Sequence, residues 1–128
     1  MRQTISTGSA YEKELGYSRA VRVAETVHGS GCSGLVRTAN AEAGTAYDQF
    51  LVAAGKLEQT LGKAGAALAD VVQTRVYITR AEDWEAVGRA HGKIFGDIRP
   101  ASSMVQVVRL IDTEMLIELE ATAIIGSS

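Results

Sequence analysis

Two glutamates near the C-terminus are the residues best placed to do chemistry. They lie in residues 116–122 (LIELEAT), whose alternation of apolar and polar residues predicts a β-strand. Because side chains alternate along a strand, Glu118 and Glu120 would share one face, and the apolar residues between them would share the other. A carboxylate held in a cleft can have a shifted pKa and can act on a substrate or on a water molecule. The alternative is that both glutamates are solvated on the wet face of a sheet, and the pattern leaves both interpretations open.

A second segment carries a candidate partner for these carboxylates. Residues 70–79 (DVVQTRVYIT) are rich in β-branched residues and predict a strand, on which Gln73, Arg75 and Tyr77 share a face. If that face is the one that carries the glutamates, Arg75 could neutralise one of them. Such a pair would be structural rather than catalytic.

A corner before the last two predicted strands contains the only proline of the chain. The stretch GDIRPASSMVQVV (residues 96–108) places Pro100 two residues before Ser102. Proline fixes the backbone, so the corner is a defined bend followed by two hydroxyl groups. Ser102 as a nucleophile would need a base close by, and neither histidine is placed for this by the sequence.

Cys32 and the two histidines are weaker candidates. Cys32 lies two residues after Ser30, so both side chains would share one face of a strand and could line one cleft there, but a nucleophilic cysteine needs a base to form its thiolate. His28 is four residues away, about 13 Å along an extended strand. We therefore expect Cys32 to be a small buried thiol and His91, on the apolar stripe of a helix, to be packed in the core with one hydrogen bond. One cysteine and two histidines have no zinc-binding spacing.

The remaining elements follow from periodicity and turn residues. We predict a first strand at 2–6, a polar loop at 7–18, two strands within 19–34 around a turn near Glu25-Thr26, and a loop at 36–44. A helix should begin after Thr45, which has capping-box spacing to Asp48, and end at Gly65. Its apolar stripe is formed by Phe50, Ala54, Leu57, Leu61 and Ala64.

A second helix should follow the strand at 70–79. Thr79 and Glu82 have capping-box spacing, and Gly96 is a natural stop. Its predicted apolar stripe is formed by Trp84, Val87, His91 and Phe95. Two strands at 102–110 and 115–125, joined by a polar turn at 112–114, complete the chain.

The element order βββ-α-β-α-ββ predicts an α+β fold with both helices on one face of a single sheet. The opposite face of a six-stranded sheet would leave a large surface uncovered. Burying it against copies of the same chain is the simplest solution, so we expect a symmetric oligomer.

Composition restricts the class of protein. We expect the 128 residues, 46% of them hydrophobic, to form a single domain over 1–128. A formal charge of −2 argues against nucleic acid or an anionic membrane as the main partner. The single cysteine fits a reducing compartment, and we see neither a signal-peptide apolar region nor a run of about 18 apolar residues. The expected location is the cytoplasm.

The sequence resembles the YjgF-like, reactive-intermediate deaminase (RidA) family over nearly its whole length. The resemblance is carried by RPASSMVQVVRLIDTEMLIELEATAI (99–124), with GYSRAVRV (16–23), HGSGCSG (28–34) and AGAALADVVQTRVYIT (64–79). It implies a chorismate-mutase-like fold with a six-stranded mixed sheet and a homotrimer with inward-facing sheets. It also implies clefts lined by two neighbouring subunits that bind a small molecule such as an imine, an enamine or a keto compound.

The resemblance also implies that no metal or organic cofactor is used, and it implies roles for individual residues. Tyr17, Ser30 and Gly31 match cleft-lining positions, and Glu118 matches the glutamate that positions the hydrolytic water. The family's corner arginine, which grips the substrate carboxylate, corresponds to Ser102. A serine hydroxyl donates one uncharged hydrogen bond where a guanidinium donates two charged ones, so we expect weak or absent activity on 2-aminoacrylate-type imines unless another arginine substitutes.

Arg19, Arg22 and Arg99 are the candidate substitutes, and each could equally be a solvated surface cation. Two functions therefore remain open for this chain. The first is a divergent imine or enamine hydrolase that uses Glu118 and a water molecule. The second is a non-catalytic trimeric protein that binds a ligand or another protein.

Overall fold

The computed structural model describes residues 1–35 and 44–128. Of the predicted loop at 36–44, residues 36–43 lie outside the described residues. The six strands are β1 (Arg2–Ile5), β2 (Ala20–Val23), β3 (Thr26–Ser33), β4 (Val71–Ile78), β5 (Ala101–Gln106) and β6 (Ile117–Ile124). The helices are α1 (Ala10–Leu15), α2 (Ala46–Lys63) and α3 (Trp84–Phe95), with 3₁₀ turns at Leu68–Asp70 and Ala81–Asp83.

The strands form one mixed sheet in the order β1-β2-β3-β6-β4-β5. Only β4 and β5 pair in parallel, and the other neighbours among the described strands are antiparallel. The register between β3 and β6 shifts between Gly29 and Cys32, which marks an irregularity in β3. This confirms the predicted α+β class with a six-stranded mixed sheet.

One face of the sheet is covered by α2 and α3, as predicted. Along β6 the residues Ile117, Leu119, Ala121 and Ala123 are almost fully buried, whereas Glu118, Glu120 and Thr122 are half-buried and Ile124 is exposed. They pack in one core with Phe50 and Leu57 of α2 and with Val87 and Phe95 of α3, all almost completely buried. The strict period of two along β6 therefore places Glu118 and Glu120 together on the face opposite the helices.

The start of α2 also follows the prediction. The Thr45 hydroxyl accepts a hydrogen bond from the Asp48 backbone N–H at 3.2 Å. This bond satisfies one of the amide groups that a helix start leaves without a partner. The helix ends at Lys63, and Gly65 adopts a φ of 87°, a left-handed conformation that suits glycine.

Residues 7–18 were predicted to be a loop, and this prediction is wrong, because α1 forms within them. Ser9 and Glu12 make a reciprocal capping box, and Gly16 ends the helix with a φ of 74°. The carboxylate of Glu12 also accepts hydrogen bonds from the backbone and the hydroxyl of Thr7. These local bonds explain how a helix of six residues forms without an apolar stripe.

The start of the second long helix was also predicted incorrectly. The chain first makes the 3₁₀ turn at Ala81–Asp83, and α3 begins at Trp84 with no side-chain cap. Trp84 is 59% exposed and does not belong to the buried stripe, whereas Val87 and Phe95 do. In the part of the chain that the structure describes, no helix has the length and apolar character needed to cross a membrane.

Candidate functional site

A cleft of about 470 Å³ brings together five of the seven residues predicted for the site. Its lining includes Tyr17, Arg19, Gly31, Cys32 and Glu118. These residues come from the segment before β2, from the irregular part of β3 and from β6. The lining also includes residues of α2 and the loop before β6, so elements distant in sequence form one site.

Glu118 is the carboxylate of this cleft. It is half-buried on β6, and it makes no hydrogen bond or ion pair with any residue in the described ranges. Burial raises the pKa of its carboxyl group, the negative charge of Glu120 adds to this effect, and the positive charge of Arg19 opposes it. A carboxylate without a protein partner and with a raised pKa is suited to accept a proton.

The absence of a side chain at Gly31 makes room for this carboxylate. A Cβ atom at Gly31 would lie 2.6 Å from Cδ and 2.8 Å from Oε1 of Glu118. Real Cβ atoms do not approach other heavy atoms so closely, so only glycine allows Glu118 to keep its position. Sequence similarity pointed to Gly31, but only the packing explains why a glycine is needed.

Glu120 has a different environment although it lies only two residues further along the same face. Its Oε1 accepts hydrogen bonds from Nε of Arg75 at 2.5 Å and from the hydroxyl of Tyr77 at 2.6 Å. Burial raises the pKa of Glu120, but the hydrogen bonds from Tyr77 and Arg75 outweigh it, and the pKa is lowered. The predicted pairing of Arg75 with a glutamate is thus confirmed for Glu120. The pKa shifts of the two carboxylates have opposite directions, because Glu120 accepts hydrogen bonds from Tyr77 and Arg75 while burial dominates at Glu118, and this suits the two groups to different roles.

Arg19 lies against the cleft in a fixed orientation. Its Nη1 donates a hydrogen bond to the carbonyl oxygen of Gly31 at 3.0 Å. The guanidinium carbon lies 5.3 Å from the ring centre of Tyr17, a cation–π distance. Its Nε is buried and has no hydrogen-bond partner among the residues described. The backbone of β3 and the ring of Tyr17 thus hold the positive charge at the cleft wall.

The two other candidate arginines lie elsewhere. Arg22 donates through Nε to the carbonyl of Ala24 and through Nη1 to the carbonyl of Ala64, each at 2.8 Å. It therefore joins the β2–β3 turn to the end of α2. Arg99 has a φ of 56° and lines a separate hollow beside Pro100. Of the three arginines considered from the sequence, Arg19 is the one that lines the cleft.

Ser30 and Ser102 do not line the cleft within one chain. The Ser30 hydroxyl donates to the carbonyl of Ser18 at 2.6 Å and so joins β3 to the segment before β2. Ser102 is exposed on β5, an edge strand of the sheet, and its hydroxyl accepts a hydrogen bond from Thr74 Oγ1 at 2.8 Å. The prediction for Ser102 concerned a cleft shared between subunits, so it stays a prediction.

His91 extends the hydrogen bond between Ser102 and Thr74 into the core. Its Nε2 lies 2.8 Å from the hydroxyl oxygen of Thr74, and its ring packs between Phe50 and Phe95. Burial lowers the pKa of His91, which favours the neutral imidazole. It is a packed histidine with one hydrogen bond, as the sequence predicted.

Cys32 is a buried thiol, as expected. Its Sγ donates a weak hydrogen bond to the carbonyl of Ser30 at 3.7 Å. Burial raises the pKa of the thiol, against the opposing charges of Arg19 and Lys56, so the protonated form is favoured. Within the described ranges, no group of three or more histidine, cysteine and acidic residues is arranged to hold a metal ion.

Lys56 is a cleft residue that sequence reasoning missed. Its Nζ donates hydrogen bonds to the carbonyl oxygens of Ser33 at 3.0 Å and Leu35 at 3.2 Å. Partial burial lowers its pKa, and its charge contributes to the cleft. The sequence gives only a weak signal for this position: Lys56 directly precedes Leu57 of the α2 stripe. Tyr11, Ile111 and Met115 were missed because no local pattern joins them to the site.

Comparison with known proteins identifies relatives of the whole chain. The family profile described as endoribonuclease L-PSP matches residues 7–125. The crystal structure of Rv2704 from Mycobacterium tuberculosis, a member of the YjgF/YER057c/UK114 family, has 42% identity and a TM-score of 0.88, and the match covers 98% of this chain and 100% of that one.

Two named relatives have similar coverage. RutC family protein UK114 of Drosophila melanogaster is 32% identical over 128 residues, which span 99% of this chain and 92% of that protein. A 2-iminobutanoate/2-iminopropanoate deaminase of Dermatophagoides farinae is 30% identical over 125 residues, 97% of each chain.

Proposed function

This chain belongs to the endoribonuclease L-PSP family, which includes the YjgF, RidA and UK114 proteins, and on that basis we propose that it hydrolyses small imines or enamines. The reaction would take place in the cleft that contains Glu118. The Dermatophagoides farinae relative is named a 2-iminobutanoate/2-iminopropanoate deaminase, and this name supports the same class of reaction.

The observation that carries the proposal is the state of Glu118. Its carboxylate faces the cleft, has no hydrogen-bond partner among the described residues and has a raised pKa. Glu120 is already engaged by Arg75 and Tyr77. Glu118 is therefore the carboxylate of the pair that is available to a water molecule.

A balanced reaction follows from this placement. The carboxylate of Glu118 accepts a proton from water while the water oxygen forms a bond to the carbon of the C=N group. The electron pair of the C=N π bond moves to the nitrogen, which takes the proton from Glu118 and gives a neutral carbinolamine. Glu118 then accepts the proton of the carbinolamine hydroxyl and passes it to the nitrogen as the C–N bond breaks, so ammonia leaves and a carbonyl compound remains. The nearby charge of Arg19 stabilises the ionised form of Glu118, which is the form that acts as the base.

Cleavage of RNA, which the family description names, is not part of this proposal. The chain has 13 basic and 15 acidic residues and therefore a formal charge of −2. Nucleic-acid binding depends on clustered positive charge that neutralises phosphates.

The proposal is tested by following ammonia release from imines generated in situ from several amino acids. We expect slow release of ammonia from the imine of pyruvate and faster release from imines of 2-keto acids with larger apolar groups. An uncatalysed rate with every imine, for a protein shown to be folded, would favour the alternative of a non-catalytic ligand-binding or protein-interacting protein. The serine at position 102 is the observation that supports that alternative.

We also propose that the chain assembles as a homotrimer with the uncovered sheet faces turned inward. Apolar side chains outside the core remain exposed, among them Val105 (47%), Val108 (99%) and Ile111 (87%), and Ile111 also lines the cleft. An interface over this region would bury them and border the cleft with a second subunit.

Sedimentation equilibrium at micromolar concentration checks the assembly. We expect a mass of about three chains of 13.6 kDa each. A monomer at that concentration would contradict both the trimer and a cleft shared between subunits.

A further inference from the structure

We infer that Arg19 binds the carboxylate of the substrate. We also infer that the second substituent of the C=N carbon is an apolar group larger than methyl. The inference rests on the proposed function, because it assigns the anchor and the substrate class for the same cleft.

The charge of the cleft is the first argument. Its lining contains three cationic side chains, Arg19, Lys56 and Lys63, and one carboxylate, Glu118. This local excess of positive charge occurs in a chain whose formal charge is −2. A partly enclosed site with such an imbalance attracts an anionic ligand.

The donors of Arg19 are the second argument. Nη1 is occupied by the carbonyl of Gly31, while the edge formed by Nε and Nη2 makes no hydrogen bond with any residue in the described ranges. Parallel donors along one edge of a guanidinium match the two oxygens of a carboxylate. A buried Nε without an acceptor is also unfavourable, and a carboxylate bound along this edge would provide one.

The cleft has no equally suitable competitor among the described residues. The ammonium group of Lys56 already donates to two carbonyl oxygens, and Lys63 is an exposed side chain at the end of α2. Arg19 is held by Gly31 and Tyr17, so it loses little conformational freedom when a ligand binds.

The position of Glu118 agrees with this assignment. Arg19 and Glu118 line the same cleft, and the charge of Arg19 opposes the rise in the pKa of Glu118, yet no ion pair within 4 Å joins them in the described part of the chain. A substrate can therefore place its carboxylate at Arg19 and its C=N carbon towards the water that Glu118 activates.

The other walls of the cleft define the rest of the substrate. Tyr11, Ile111 and Met115 contribute apolar surface to its lining. Its volume of about 470 Å³ leaves room for a substituent much larger than a methyl group. An aromatic or branched aliphatic 2-imino acid fits both the charge and the space.

Calorimetry with unreactive carbonyl products tests the inference separately from catalysis. The ligands are phenylpyruvate, its primary amide and pyruvate. We expect the wild-type chain to bind phenylpyruvate about 10- to 100-fold more tightly than the amide, because the amide lacks the charged acceptor pair. We also expect at least about 10-fold tighter binding than for pyruvate, because the phenyl ring buries apolar surface.

The matched variants are Arg19→Gln and Arg89→Gln. Arg89 is exposed on α3 and is not part of the cleft lining, so its variant removes the same charge outside the site. Arg19→Gln should lose the preference for acid over amide, and Arg89→Gln should keep it. If Arg19→Gln does not fold, the comparison of acid and amide with the wild-type chain still tests the anionic site.

Three results would overturn the inference: equal binding of acid and amide by the wild-type chain, an unchanged preference in Arg19→Gln, or pyruvate binding as tightly as phenylpyruvate. Acid-selective binding that depends on Arg19, without hydrolysis of any imine, would support the inference and contradict the proposed hydrolase. Hydrolysis at an unchanged rate in Arg19→Gln would support the proposed hydrolase and contradict the inference that Arg19 binds the substrate carboxylate.

Discussion

Glu118→Gln is expected to lower kcat for imine hydrolysis by about 100- to 10,000-fold, the usual contribution of a general base. The amide keeps the size of the side chain but cannot accept the proton of the attacking water. Because Glu118 makes no hydrogen bond or ion pair with the described residues, the substitution breaks no such contact. We therefore expect the thermal unfolding midpoint to stay the same or to rise, since a partly buried charge is removed.

The pH dependence provides a second measurement of the same prediction. Burial raises the pKa of Glu118, so its carboxylate becomes protonated at a higher pH than a solvated glutamate does. The kcat/KM of the wild-type protein should therefore fall on the acidic side at a pH above the ordinary value of about 4.3 for glutamate. The residual activity of Glu118→Gln should lack this acidic limb.

Glu58→Gln is the matched control for this substitution. Glu58 is exposed on α2 and does not line the cleft, so its variant should keep both kcat and the pH profile. An unchanged kcat in Glu118→Gln would show that Glu118 is not the base and would remove the central support for the proposed reaction.

Because the sequence of β6 alternates regularly, it predicted which side chains of that strand are buried and which are not. The alternation from Ile117 to Ile124 and the stripe of α2 each require burial of one side, so local pattern and tertiary packing agree. The same reasoning placed Glu118 and Glu120 on one face. It did not distinguish them, because that difference depends on Arg75 and Tyr77, which lie more than 40 residues away in sequence.

The features that sequence reasoning missed depend on contacts without a period. Helix α1 forms through the bonds between Ser9 and Glu12, and its exposed side chains give no apolar stripe. Trp84 suited the stripe by spacing, but the 3₁₀ turn before α3 places it at the exposed helix start. Lys56 reaches the cleft only because α2 packs beside the end of β3, where it donates to Ser33 and Leu35.

The sequence alone likewise did not show why position 31 requires a glycine. The irregular register between Gly29 and Cys32 brings the backbone of β3 against the side chain of Glu118. The same residue presents its carbonyl oxygen to Arg19 at 3.0 Å. Gly31 thus controls the positions of both charged groups that the proposed function uses.

Gly31→Ala should therefore lower kcat by about 100-fold or more, because a displacement of about 1 Å in a reacting group can have an effect of this size. The new Cβ would lie 2.6 Å from Cδ of Glu118, so the carboxylate has to move. The group that must move is the end of a flexible side chain, and the free energy of unfolding should change by less than about 1 kcal/mol. The measurements are steady-state kinetics and denaturant unfolding of the same preparation.

Gly55→Ala is the matched glycine control. Gly55 lies in α2, and a Cβ there would have no heavy atom within 4 Å. Its variant should keep full activity and gain about 0.5–1 kcal/mol of stability, as expected for alanine in a helix. A loss of activity in both variants would indicate a general sensitivity of the fold rather than a requirement at Gly31.

The double variant Gly31→Ala, Glu118→Gln separates displacement of the carboxylate from other causes. If the alanine acts only by moving Glu118, its effect should disappear once the carboxylate is gone, because two substitutions that act through one group are not additive. The double variant should then have the same residual kcat as Glu118→Gln alone. A further loss of about 100-fold would mean that Gly31 acts through another group, and the carbonyl that orients Arg19 would be the next to test.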